Sequence, residues 1–172
     1  MGFIVNYLNT HILALLIFFP ICGALVLTIL PTHKINTIRL AALILFFVEF
    51  VFSLPLVFHF TNTGVTDQFY AEVAWIPSWN IFYRVGIDGV SQLLIIFTTA
   101  LLPLTLLGAW RSVDKNAKAT LMCLMIIEGC TLGVFCALDL FFFFVCFAIM
   151  LVPLFFLMCL KDKNRLGSPL QL

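Results

Sequence analysis

Five stretches of about twenty mostly apolar residues leave this chain little choice of architecture. They run approximately over 8 to 30, 38 to 60, 89 to 110, 117 to 138 and 139 to 160. In hydrocarbon every backbone N–H and C=O must find its partner inside the protein, so segments of this length cross as α-helices. The expectation is an all-α polytopic membrane protein, one membrane domain over residues 1–172, with an outer loop at 61 to 88 and an inner tail at 161 to 172. Hydrophobic residues make up 63% of the chain and charged residues only 10%, against roughly 25% charged in soluble domains. A formal net charge of +1 leaves no basic excess to attract nucleic acid.

If the spans alternate in direction, Lys34, Arg39, Arg111, Lys115, Lys118, Lys161, Lys163 and Arg165 fall on one face and Arg84 alone on the other. By the positive-inside rule the basic face is the cytoplasm or mitochondrial matrix. The N-terminus is then outside, in the intermembrane space or periplasm, and the C-terminus inside. The first apolar run has no cationic region before it and no small-residue cleavage site after it, so it is read as a retained span; Asn6 makes myristoylation of Gly2 unexpected. In the outer loop, "QFYAEVAW" and "NIFYRVGI" fit a short strand or hairpin lying on the outer surface, and Tyr70, Trp75, Trp79 and Tyr83 suit the membrane–water boundary.

Pro20, Pro55, Pro103 and Pro153 lie within spans, where neighbouring helices satisfy the freed carbonyls. The six cysteines, Cys22, Cys123, Cys130, Cys136, Cys146 and Cys159, sit in apolar segments without a CxxC pair and read as small buried hydrophobes. His11, His33 and His59 have no second ligand at helical spacing, so no metal site is expected.

Two carboxyl groups stand inside spans. Glu128 is close to the middle of "AKATLMCLMIIEGCTLGVFCAL", where an acidic side chain costs about 2.5–3.5 kcal/mol to insert and therefore faces a protein interior. Proton relay is the functional reading; a neutral glutamic acid that locks helices together is the structural one. Glu49, in "ILFFVEFVF", faces the same cost but lacks the small neighbours Gly129, Cys130 and Gly133 that let another helix approach Glu128, so it is the weaker candidate. Asp88 and Asp139 stand at span starts, as helix caps.

Two ordered blocks carry a resemblance. Trp75, Ile76 and Pro77 are followed by Gly86, Ile87, Asp88, Gly89, Val90 and Ser91, then Thr98, Thr99 and Pro103. The second block, "EGCTLGVFCALDLFFFFVCFAIMLVPLFFL", ends in M-L-x-P, and "KNR" follows at 163 to 165. Together they resemble the antiporter-like subunit M of NADH:ubiquinone oxidoreductase, respiratory complex I, called subunit 4 in mitochondria. The resemblance covers the chain from about residue 11 to 165 and implies a proton-translocating membrane-arm subunit. Flavin, iron–sulfur clusters and quinone are expected elsewhere in the complex, with no cofactor in this chain. The mechanism implied uses intramembrane carboxylate and lysine pairs.

Against that pattern the chain departs twice. It carries no sixth span, which is read as the N-terminal piece of a divided subunit completed by a separate chain supplying the later helices. The glutamate that the family places just before M-L-x-P, paired with a lysine of the seventh helix, is here Ala148, which leaves Glu128 as the central carboxylate of the fourth and fifth spans. The leading expectation is a membrane-arm fragment of complex I contributing to proton translocation coupled to NADH oxidation and quinone reduction. The alternatives are a scaffold fragment without its own proton pathway and a subunit of a multi-subunit cation/proton antiporter. Expected partners are the other membrane-arm subunits and lipid; the expected location is the mitochondrial inner membrane or, alternatively, a bacterial plasma membrane.

Overall fold

The computed structural model describes the backbone of residues 2–32, 34–59, 68–76, 78, 81–110 and 116–166, and the side chains within these except at 2–10, 59, 68 and 161–166. Five helices, α1 (Gly2–Ile29), α2 (Ile35–His59), α3 (Gly89–Gly108), α4 (Ala117–Cys136) and α5 (Leu140–Leu166), are joined between α2 and α3 by strands β1 (Gln68–Ile76) and β2 (Ile81–Ile87). Each helix contains a stretch long and apolar enough to cross a membrane. The five expected spans are therefore present, with two differences at the ends. α1 begins at Gly2 and α5 runs to Leu166, into the stretch expected to be tail. Nothing in "KDKNRL" stops a helix, since Lys and Arg are good helix formers and the first breaker is Gly167. Pro20, Pro55, Pro103 and Pro153 all lie inside helices.

α4 is the hub, packing against α1, α2, α3 and α5. Its glycines explain two of these contacts. A Cβ at Gly129 would stand 2.7 Å from the Ile17 carbonyl oxygen, and one at Gly133 would stand 2.7 Å from Cys146 Sγ. Without a side chain there, α1 and α5 approach the α4 backbone closely, which is how helices associate where lipid is as apolar as leucine. α5 is the most open helix: Leu140, Phe144, Val152, Phe155, Phe156 and Met158 are all exposed.

The β1–β2 ribbon is antiparallel, with Glu72 opposite Arg84 and their side chains paired at 3.1 Å; the Tyr70 hydroxyl donates to the same carboxylate. These hydrogen bonds, first Tyr70 and then Arg84, hold the Glu72 carboxyl below its usual 4.5. A depressed folded-state pKa contributes stability that is present above the unfolded value and lost as pH falls through the folded one. Protection of the ribbon amides, relative to the intrinsic exchange rate at each pH, is therefore expected to hold above pH 4.5 and to fall below it, and Glu72→Gln to abolish that pH step. A ribbon whose protection is flat across this range would refute the assignment.

The two blocks of motif residues meet at this end of the bundle. The Leu138 N–H donates to the Arg84 carbonyl at 3.0 Å, and Val85 bridges Ala137. Asp88 caps α3 by accepting from the Ser91 N–H at 2.7 Å, and Asp139 caps α5 by accepting from the Phe141 and Phe142 N–H groups at 2.9 and 3.2 Å. Trp75 packs edge-on to Phe141 and Tyr83 edge-on to Phe142; Trp79 lies outside the described residues. "GIDG" and "ALDLF" thus form one joint that ties the ribbon to the α4–α5 turn. At the opposite end Lys118 Nζ donates to the carbonyls of Thr28 and Leu30 at 2.6 and 2.8 Å. A cation there completes the orphan carbonyls at the end of α1 and opposes its negative dipole end.

Candidate functional site, a central carboxyl pair

Two apolar cores fill the bundle, one above the other. Leu13, Leu16, Ile17, Leu56, Ile95, Leu132 and Cys136 belong to the core at the ribbon end. Ala24, Leu27, Ala42, Phe46, Leu106, Leu121 and Met125 belong to the core at the basic end. On every helix that contributes to both, the residues between the two cores are the interesting ones. On α2 these include Glu49 and Ser53, on α3 Thr99, and on α4 Glu128 with Gly129 and Cys130, all buried. A polar layer therefore separates two greasy ones at mid-height, roughly 12–21 Å from the ends of α2 and α4 at 1.5 Å per residue.

Within it the Glu49 and Glu128 side chains, each 1% exposed, are neighbours on the packed helices α2 and α4. Among the described residues no cation reaches either group, and Glu49 Oε1 and both oxygens of Glu128 have no hydrogen-bond donor. Ionised carboxylates are acceptors only, so the two can hydrogen-bond directly only when one holds a proton. Ser53 and Thr99 touch through their hydroxyls at 3.0 Å. Ser53 also donates to the Phe50 carbonyl at 2.7 Å. Pro103 cannot donate to the Thr99 carbonyl, which leaves a further acceptor in the same layer.

Glu128 also lines a cleft of about 140 Å³ between α3 and α4, together with Phe97, Thr98, Leu101, Leu102, Leu124, Ile127 and Thr131. Its volume exceeds the ~30 Å³ share of one water several-fold. The site can therefore hold a proton, exchange it between two carboxyls and meet water or a neighbouring helix through the cleft.

Of the residues singled out in the sequence, Glu128 is where it was expected, buried at the centre beside Gly129 and Gly133. Glu49 was ranked the weaker candidate because its own helix has no small residues beside it; the close approach is supplied by its partner helix instead. The signal was available, since both glutamates lie near mid-span. Ala148 is exposed on α5, whereas Glu128 turns towards α2 and α3. Cys130, Cys136 and Cys146 are buried as expected, but Cys22 and Cys159 are exposed, on helix faces the bundle leaves open. Among the described residues no three His, Cys, Asp or Glu side chains converge in a way that could hold a metal ion; the His33 and His59 side chains lie outside them.

No family model matches the chain. Individual proteins do. NADH-ubiquinone oxidoreductase chain 4 of Arabidopsis thaliana is 35% identical over 140 residues, covering 81% of this chain and 28% of that protein. NADH-quinone oxidoreductase subunit M of Rhodobacter capsulatus is 33% identical over 150 residues, 84% of this chain and 28% of its own length. The F(420)H(2) dehydrogenase subunit M of Methanosarcina mazei is 34% identical over 99 residues, 58% of this chain and 20% of that one. The chain belongs to the family of NADH-ubiquinone oxidoreductase chain 4 and NADH-quinone oxidoreductase subunit M, and it spans about 28% of the length of these relatives.

Proposed function

We propose that this chain supplies five helices of the membrane arm of a proton-translocating NADH:ubiquinone oxidoreductase, and that Glu128 carries protons at mid-membrane. The observation that carries the reading is a carboxyl group, 1% exposed and without a cation among the described residues, at the height where insertion is most costly. Such a group is retained in a membrane protein for a reason, and in a family named for NADH–quinone oxidoreductases proton movement supplies one. The kinship with a subunit of an F(420)H(2) dehydrogenase supports placing electron input elsewhere, because two electron donors are named for relatives of the same segment. Redox groups then belong to other subunits. The basic end, with Lys34, Arg39 and Lys118, faces the matrix of a mitochondrion or the bacterial cytoplasm.

The exposed aromatic and aliphatic face of α5, which includes Ala148, is the surface for later helices of the same subunit, in whichever polypeptide they lie, or for lipid. The absence of a carboxylate at Ala148 favours one second reading, a scaffold that no longer moves protons. Glu128→Gln in the intact complex, reconstituted into vesicles, divides the two. The proton-to-electron ratio is expected to fall while quinone reduction in uncoupled vesicles persists. An unchanged ratio would favour the scaffold.

A further inference from the structure

The geometry points to Glu49 and Glu128 acting as one proton-holding dyad, connected towards the ribbon end by a buried file of polar groups along the α2–α3 seam. This rests on the proton-carrying reading of Glu128 and extends it to a residue, and a route, on helices other than α4.

The file begins at the dyad. Ser53 lies one helical turn from Glu49 on the same face of α2, and its oxygen meets Thr99 Oγ1 at 3.0 Å. Further towards the ribbon, Gln92 Nε2 donates to the Leu56 carbonyl at 3.1 Å, and Gln92 is only 9% exposed. Gln92 and Thr99 are seven residues apart, two turns along one face of α3. Four residues from Gln92 towards the helix start, Asp88 stands exposed. Buried polar side chains are costly in a membrane, and here four of them fall on one seam instead of being scattered over five helices.

At the other side of the dyad Glu128 opens to the cleft beside Thr98 and Thr131. The proton steps balance without any further reactant. At rest the pair holds one proton, on Glu49, with Glu128 as the carboxylate. A hydronium in the cleft gives its proton to a carboxylate oxygen of Glu128 and becomes water. Water beside Ser53 then accepts the proton of Glu49 and becomes hydronium, and the proton on Glu128 passes along the carboxyl–carboxyl hydrogen bond to the Glu49 carboxylate, which restores the resting pair. Sharing one proton is the established behaviour of two carboxyls at contact distance.

The test uses the intact complex in vesicles, with Glu49→Gln, Glu128→Gln and the double variant. Each single substitution is expected to lower the proton-to-electron ratio by the same fraction, and the double variant no further, because members of a unit are not additive. The protonated-carboxyl band in infrared difference spectra is expected to disappear in both single variants. Ser53→Ala with Thr99→Val is expected to lower the ratio while that band persists. Should a glutamine variant fail to assemble, Glu49→Asp and Glu128→Asp replace it, with at least partial retention of the band expected. A native ratio in Glu49→Gln beside a lowered one in Glu128→Gln would overturn the dyad and leave Glu128 as a lone carrier. Native ratios in both would overturn the proton-carrying reading itself. A native ratio in the Ser53–Thr99 variant, with both glutamine variants impaired, would overturn the file.

Discussion

Valine at position 129 is expected to prevent stable packing of α1 on α4, and with it the accumulation of the complex. The obstruction is backbone: the first carbon of any side chain at Gly129 would meet the Ile17 carbonyl oxygen at 2.7 Å and Pro20 Cγ at 3.0 Å. A flexible side chain could turn aside, but a helix backbone next to a proline ring has little freedom. Overpacking of this kind costs about 1–3 kcal/mol for the first added carbons and more when the neighbour is rigid. Alanine should be partly tolerated and valine should not. Gly133→Ala should be milder, since its obstacle is the Cys146 sulfur, which can change rotamer. Gly108→Ala, with nothing within 4 Å, should be neutral or stabilising by up to about 1 kcal/mol through helix propensity. Complex levels on native gels rank the four variants; a Gly129→Val protein assembling as well as Gly108→Ala would show that the helices do not pack this way.

The second large effect concerns the carboxyl pair as structure. Glu49→Leu removes the carboxyl neighbour of Glu128, whose two oxygens have no donor among the described residues. Leaving a buried polar group unsatisfied costs about 1–3 kcal/mol, more if it is charged. Glu128→Leu should cost a similar amount through Glu49. The double substitution should recover most of the loss, because replacing both members of a buried polar pair by apolar groups is often neutral or favourable. Chemical or thermal inactivation of the solubilised complex reads this cycle. Two losses that simply add in the double variant would mean that the glutamates do not meet.

Proton movement and stability are thereby separable at one site. A Leu–Leu protein that assembles well and fails to pump would show that the pair is kept for function at the expense of packing. One that assembles well and pumps normally would show that neither assembly nor proton movement requires the carboxyls.

Much of the architecture was legible residue by residue. Apolar length set five helices, because hydrocarbon admits no other single-segment solution. Asp88 and Asp139 were recognisable as caps, since capping is local and needs only the next three residues. The hairpin was legible in the alternation of "QFYAEVAW" and "NIFYRVGI", although its union with the α4–α5 turn was not. The fifth span was legible to within a residue, but the further winding of α5 to Leu166 was not, because hydropathy marks where a helix leaves the apolar region and says nothing of where it stops winding.

The chain by itself determined that two glutamates would lie near mid-membrane; only the tertiary structure decided that they face each other across 79 positions of sequence. The reason is physical. A helix of a soluble protein carries an apolar stripe that shows which side turns inward, whereas a membrane helix is apolar all round, and lipid and protein interior attract its faces almost equally. What then chooses the contact face is close fit, and the fit of Gly129 against Ile17 and of Gly133 against Cys146 exists only between helices already brought together.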